Sequence, residues 1–173
     1  IPSVIECLVA PFSVLRHRDL EALCKRFGDT AIKAWLIAVS DPALLYATNP
    51  STLCAFVDEL DQSPESVAEF ARLWLKNERE FGPTIMRIFR RTETPGARER
   101  LQALVDWPER KASQGSVREL LEKINPRLVR VMAWDGGYVI PFLDRVRTYF
   151  SVPFIPLFSM STETVQTQPL IRQ

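Results

Sequence analysis

The chain has 173 residues, of which 46% are hydrophobic and 25% are charged. This length suits one ordinary domain or two very small ones, and such a chain buries enough surface to fold without disulfides. The composition excludes an intrinsically disordered chain, a collagen-like repeat and a disulfide scaffold. Because 22 basic residues nearly balance 21 acidic ones, we expect neither nucleic acid nor a membrane as a partner.

Localisation is indicated by what the sequence lacks. The longest uninterrupted apolar run, Ala34 to Val39, is far shorter than the roughly 20 residues of a membrane span, and no signal-peptide pattern opens the chain. Cys7, Cys24 and Cys54 show no CxxC spacing, which is typical of reduced thiols. We therefore expect a cytoplasmic protein. The first residue is Ile rather than Met, which we interpret as the mark of a processed piece or a fragment.

Two further features have an ordinary structural interpretation beside a functional one. The single histidine, His17, cannot supply a histidine-based metal site, and no activated-nucleophile motif accompanies it.

The segment from Arg87 to Lys111 is rich in basic residues. A solvated helical face and a nucleic-acid surface both fit it, but no aromatic side chains are interleaved for stacking on bases.

Hydrophobic periodicity predicts a helix-rich first two thirds. In chain order, we expect a helix over 19–27 that ends at Gly28, a helix from Asp29 to Asp41-Pro42, a strand over 44–48, and helices opening at Asn49-Pro50 and at Ser63-Pro64. Next come a helix from Thr94-Pro95 through Asp106, a loop over 108–115, and a helix that begins with the capping box Ser116/Glu119 and ends at Ile124. Trp35 and Trp74 lie on apolar helical faces, so we expect them in the core.

The last third predicts a strand, a helix and a second strand. The run LVRVMAW (128–134) is β-rich, the turn Asp135-Gly136-Gly137 follows it, and residues 141–150 are amphipathic. The run VPFIPLF (152–158) predicts the second strand, at an edge because of its two prolines. The fold class is therefore α/β and helix-rich, with a βαβ unit at 128–158 whose strands are parallel.

Parallel strands bring the segments after their carboxyl ends to one edge of the sheet, where open α/β sheets bind ligands. Gly136 and Gly137 follow the first strand, and the second is followed by a hydroxyl-rich loop with one carboxylate, Ser159, Met160, Ser161, Thr162, Glu163 and Thr164. Hydroxyls, backbone amides and a carboxylate suit a nucleoside triphosphate with Mg²⁺. A solvated polar loop fits the same residues, and Trp134 suits either a pocket wall or the core.

The same segment resembles a known family. From Asn125 onward the chain contains NPRLVRVMAWDGG, then PFLDRVR, then PFIPLFSMSTETVQ, and Leu44 to Leu60 contains LLYATNPSTLCAFVDEL. This order is similar to that of the acyl-acid amido synthetases of the auxin-responsive Gretchen Hagen type, members of the acyl-adenylate-forming superfamily that includes firefly luciferase. The matching positions are Pro126, Leu128, Trp134, Gly136 and the triplet Ser161-Thr162-Glu163.

The resemblance implies an ATP-dependent ligase that uses Mg²⁺, activates a carboxylic acid as an acyl-adenylate and transfers the acyl group to an amine or amino acid. It implies that Glu163 and Thr162 are catalytic and that Glu163 holds the metal. It further implies that the nucleotide is bound by Gly136, Gly137 and residues 159–164, in which Ser159 and Met160 line the adenine and ribose side.

Two positions depart from the family pattern. Ser159 stands where the family often has Tyr, and Thr164 stands where it has Gly. The family's phosphate loop and small C-terminal domain have no counterpart in these residues. We therefore expect the central part of an adenylating N-terminal domain, with a helical subdomain over about 1–125, a βαβ unit over about 126–173, and no activity alone. The alternative is a non-catalytic α/β interaction module that keeps only the scaffold.

Overall fold

The computed structural model describes residues 18–76, 81, 86, 93–136 and 139–157. Within these ranges helices predominate over strands, and no helix has both the length and the hydrophobicity needed to cross a membrane. The elements, in chain order, are α1 (Arg18–Phe27), α2 (Asp29–Ser40), β1 (Leu44–Tyr46), α3 (Pro50–Gln62), α4 (Pro64–Lys76), α5 (Ala97–Val105), α6 (Trp107–Ala112), α7 (Val117–Ile124), β2 (Arg130–Trp134), α8 (Ile140–Tyr149) and β3 (Phe154–Leu157).

The three strands form one parallel sheet in the order β1-β2-β3. In its register, Tyr46 lies beside Met132 and Met132 lies beside Ile155. The predicted βαβ unit is confirmed, because β2 and β3 are adjacent parallel strands and α8 connects them. β1 is also confirmed as a strand, although it ends earlier than predicted, and it joins the same sheet. The division of the chain into two units near residue 125 stays a prediction.

Helix boundaries follow local capping. The Asn49 side chain accepts a hydrogen bond from the Ser51 backbone amide at 2.9 Å, and Pro50 occupies the first turn of α3, where a missing N–H costs nothing. The predicted capping box is also present, since Ser116 Oγ accepts from the Glu119 amide at 3.2 Å. Gly28 separates α1 from α2 with φ of +83°, a conformation that disfavours any side chain.

The predicted loop over 108–115 is wrong in its first part, whereas residues 113–115 lie outside any helix. Residues 107–112 form the helix α6, with Pro108 in its first turn. Proline breaks a helix interior but is well tolerated at the start, where no intrahelical partner awaits its nitrogen. Trp107 anchors α6, because its buried indole donates to the Leu60 carbonyl at 3.1 Å.

The core lies between the helices and one face of the sheet. Trp35 and Trp74 are buried as predicted, with ring centroids 4.7 Å apart, and Phe70 packs edge-on against Trp35 at 5.8 Å. Val131 and Ala133 of β2 join this core from the sheet. Parallel strands buried by helices in this way are the usual arrangement of α/β proteins, and the helix-rich α/β class is confirmed.

Candidate functional site

The candidate site is the edge of the sheet at which all three strands end. β1, β2 and β3 are parallel, so Tyr46, Trp134 and Leu157 lie at the same edge. Of the predicted site residues, Gly136 is described, and it follows β2 after one intervening residue, Asp135. Gly137 and residues 159–164 lie outside the described residues, so the predicted closeness of the two loops stays a prediction.

Gly136 lies against the indole of Trp134. A Cβ atom added at Gly136 would lie 3.1 Å from Trp134 Nε1 and 3.4 Å from Cε2, which is closer than ordinary van der Waals contact. A side chain at this position would therefore require the indole to give way by a few tenths of an ångström. Trp134 forms part of this edge rather than of the core beneath the sheet.

The end of β1 is tied to β2 by backbone hydrogen bonds. Ala47 donates to the Met132 carbonyl at 3.0 Å, and Trp134 donates to the Thr48 carbonyl at 3.2 Å. Asn49 follows immediately and caps α3. This arrangement brings the positive end of the α3 dipole close to the same edge, which favours negative charge there.

A polar cluster between two helices was not found by sequence reasoning. Arg145 of α8 contacts both carboxylate oxygens of Asp58 of α3, at 2.5 and 2.7 Å, and Tyr149 donates to Asp58 Oδ1 at 2.7 Å. We call Asp58, Arg145 and Tyr149 the α3–α8 clamp. It fixes side by side the two helices that follow β1 and β2. The spacing of Arg145 and Tyr149 could have indicated a helical pair, but nothing local connects either residue with Asp58.

The clamp shifts the acidity of its members. The Tyr149 hydroxyl and then the Arg145 guanidinium stabilise the carboxylate and lower the pKa of Asp58 below its ordinary value. Burial, followed by the hydrogen bond to Asp58, raises the pKa of Tyr149. Hydrogen bonding to Asp58 also raises the pKa of Arg145. All three groups therefore keep their ordinary charges at neutral pH, and the clamp is suited to holding helices rather than to transferring protons.

Cys54 lies beside the clamp but is not suited to nucleophilic chemistry. Its side chain is buried, and its thiol donates to the Phe142 carbonyl at 3.5 Å. Burial is the main reason that the pKa of Cys54 is raised. The thiol therefore stays protonated and unreactive.

A second polar network lies at the opposite edge, where the strands begin. Arg100 is buried and donates to the Ala38 carbonyl at 2.6 Å, to the Pro95 carbonyl at 2.8 Å and to Thr94 Oγ1 at 2.6 Å. Asp41, also buried, lies 3.7 Å from this guanidinium and accepts from the Arg127 amide at 3.0 Å. The network holds the end of α2 against the segment that leads into β2. Because it lies where the strands begin, at the edge opposite to the candidate site, we interpret its role as structural.

The described residues contain no cluster of three or more His, Cys, Asp or Glu side chains able to hold a metal ion. The predicted metal ligand, Glu163, lies outside them. No family model, no curated protein and no solved structure matches the chain. The fold and the strand-end edge are therefore established by the structure alone, and the resemblance to amido synthetases stays an expectation.

The clamp predicts a specific pH dependence. Asp58→Asn removes a carboxylate whose pKa is lowered on folding. The wild type should therefore be more stable than the variant at every pH above the unfolded-state pKa of Asp58. This difference in stability should disappear as the pH falls through the lower folded-state pKa. We expect the urea midpoint of the variant to be slightly lower than that of the wild type at neutral pH, and the difference between the two midpoints to shrink below about pH 4. Asp144→Asn, which removes an exposed carboxylate of α8, is the control. A difference that stays constant with pH would contradict the assignment.

The contact between Gly136 and Trp134 is tested by Gly136→Ala. The added methyl group must displace the indole by a few tenths of an ångström, because Nε1 is the nearest atom. We expect the Trp134 indole cross-peak to shift in a ¹⁵N-correlated NMR spectrum while those of Trp35 and Trp74 do not move. Thr48→Ala, at an exposed position of the same edge, should leave all three unchanged. An unmoved Trp134 signal would show that the indole does not lie against Gly136.

Proposed function

We propose that this chain is part of the adenylating domain of an ATP-dependent ligase that activates a carboxylic acid and transfers the acyl group to an amine or amino acid. The observation that supports it is the βαβ unit. Because β2 and β3 are adjacent and parallel, the segments that follow Trp134 and Leu157 begin at one edge. These segments carry the residues on which the family resemblance rests.

The glycines, hydroxyls and carboxylate of these segments suit the binding of ATP with Mg²⁺. Glycine allows the backbone to approach a nucleotide closely, hydroxyls bind phosphate oxygens, and a carboxylate binds Mg²⁺. In this proposal Gly136, Gly137 and residues 159–164 bind the nucleotide, Glu163 holds Mg²⁺, and Thr162 contacts the phosphates. The α3 N-terminus adds a favourable field for negative charge at the same edge.

The proposal also accounts for the rigid surroundings of this edge. Asn49 starts α3 and Gly136 precedes α8, and the α3–α8 clamp holds these two helices together. Ligand-binding segments are most effective when rigid elements position them. In the proposed ligase, ATP and Mg²⁺ supply the leaving group and its charge neutralisation, while this part of the chain supplies positioning.

The test is ATP–pyrophosphate exchange by the complete ligase that contains this chain, measured with a panel of aryl and alkyl carboxylic acids. We expect exchange that requires both Mg²⁺ and one class of acid. The chain of 173 residues should show none by itself. Absence of exchange with every acid, together with no binding of Mg·ATP in calorimetry, would contradict the proposal and favour the interaction module.

A further inference from the structure

A small cavity lies where the strands begin, between the carboxyl ends of α7 and α8. Its volume is about 80 Å³, several times the roughly 10–15 Å³ that a cavity needs to hold one water molecule. Most of its walls are apolar or aromatic, and they include Leu121, Leu128, Phe150 and Val152. We call this space the helix-end cavity. Because it lies at the edge opposite to the strand ends, it is separate from the proposed nucleotide site.

Two helix ends meet at the helix-end cavity and give it a negative potential. Asn125 and Phe150, the residues that cap the carboxyl ends of α7 and α8, both line it. The last carbonyl groups of a helix have no intrahelical partners, and together they carry a partial negative charge that favours a cation. Since both ends belong to one cavity, their fields add there.

The charged side chain of the lining has the same sign as these helix ends. Glu122 supplies a carboxylate, and none of the described residues that line the cavity is basic. The basic residues of α7, Arg118 and Lys123, do not line it. Arg118 contacts Glu122 Oε1 at 3.3 Å, but both side chains of this pair are about half exposed. An exposed ion pair of this kind is weak, so a competing cation can share the carboxylate.

We propose that the helix-end cavity binds a primary alkylammonium ion with a chain of about four carbons, a size that the volume allows. The apolar walls cover the alkyl chain, which is stabilised by leaving water. The ammonium group donates three hydrogen bonds and lies toward the helix ends and the Glu122 carboxylate. An anion of the same length would meet negative charge at the same place, so the cavity discriminates by charge.

The test is a titration of the ¹⁵N-labelled chain with n-butylammonium chloride at constant ionic strength, followed by NMR. We expect saturable shifts of backbone amides within 121–128 and 149–152. The dissociation constant should be on the order of 1 mM, well within the limit for a ligand of about five non-hydrogen atoms. Butyrate, which has the same chain length and the opposite charge, should cause no saturable shift.

Two substitutions of exposed lining residues test the charge of the cavity. Glu122→Gln removes the carboxylate and should weaken the binding of n-butylammonium about three- to fivefold, since the pair it forms is exposed. Ser151→Lys adds an ammonium group to the lining and should abolish binding. Thr148→Lys is the matched control, because it adds the same charge at an exposed position of α8 outside the lining. It should change the dissociation constant by less than about twofold.

Each variant is expected to be folded, because the substituted side chains are exposed, and its own ¹⁵N spectrum verifies this. The proposal is overturned if n-butylammonium causes no saturable shift at concentrations well above the expected dissociation constant, or if butyrate binds equally well. It is also overturned if Ser151→Lys binds n-butylammonium as tightly as the parent chain, or if Thr148→Lys loses binding to the same extent.

Discussion

Glu163→Gln is expected to reduce the rate of adenylation by the complete ligase about 10²- to 10³-fold, as removal of one oriented stabilising group does elsewhere. In the proposed function this carboxylate holds Mg²⁺ against the phosphate oxygens, where it helps to neutralise charge as pyrophosphate leaves. Glutamine keeps the size of the side chain and removes its charge. The measurement is ATP–pyrophosphate exchange as a function of Mg²⁺ concentration.

The control for this prediction is Glu69→Gln, which removes an exposed carboxylate from the middle of α4. It should leave both the exchange rate and its Mg²⁺ dependence unchanged. Thermal unfolding of the two variants should match that of the parent. Exchange by Glu163→Gln that stays within a few-fold of the parent, with the same Mg²⁺ dependence, would show that Glu163 is not the metal ligand.

Arg100→Met is expected to destabilise the fold by about 3–5 kcal/mol, the usual effect of removing one partner from a buried ion pair. The substitution leaves the Ala38 and Pro95 carbonyls and Thr94 Oγ1 without this donor. It also leaves the buried carboxylate of Asp41 without the guanidinium 3.7 Å away. The measurement is the free energy of unfolding from urea titration.

Two further variants separate this effect from a general sensitivity of α5. Arg98→Met changes an exposed arginine on the same helix and should cost less than about 1 kcal/mol. Adding Asp41→Asn to Arg100→Met removes the uncompensated charge, and asparagine tolerates the left-handed backbone at this position. We expect the double variant to recover part of the loss. A loss of less than about 1 kcal/mol in Arg100→Met alone would contradict the buried network.

The βαβ unit could be predicted because its signals are local. The runs around Val131 and Ile155 are rich in β-branched and aromatic residues, and a glycine turn and an amphipathic segment separate them. The partner of β1 could not be predicted in this way, since no local pattern connects Leu44 with Arg130. The helix at 107–112 was not predicted, because a proline such as Pro108 disrupts the interior of a helix but is favourable in its first turn, and the sequence does not show which position it occupies.

The candidate site could be predicted only in part. Gly136 could be predicted as a site residue because it is a glycine after the end of a strand. Its contact with the indole of Trp134, two residues earlier, could not be predicted, because spacing in the sequence does not determine the orientation of a side chain. The α3–α8 clamp joins Asp58 to Arg145, which lie 87 residues apart in the sequence. Such pairs arise from the packing of elements, so only the folded structure reveals them.

The order in which the sheet assembles follows from its connectivity. β2 and β3 are joined by a single helix, whereas the chain passes through five helices between β1 and β2 among the described elements. Closing the longer loop costs more entropy and slows the pairing, so β1 should dock last on a preformed βαβ unit. Until it does, the backbone of β2 presents an unpaired edge. A refolding chain is therefore most open to aggregation during that interval, and dilution should favour recovery.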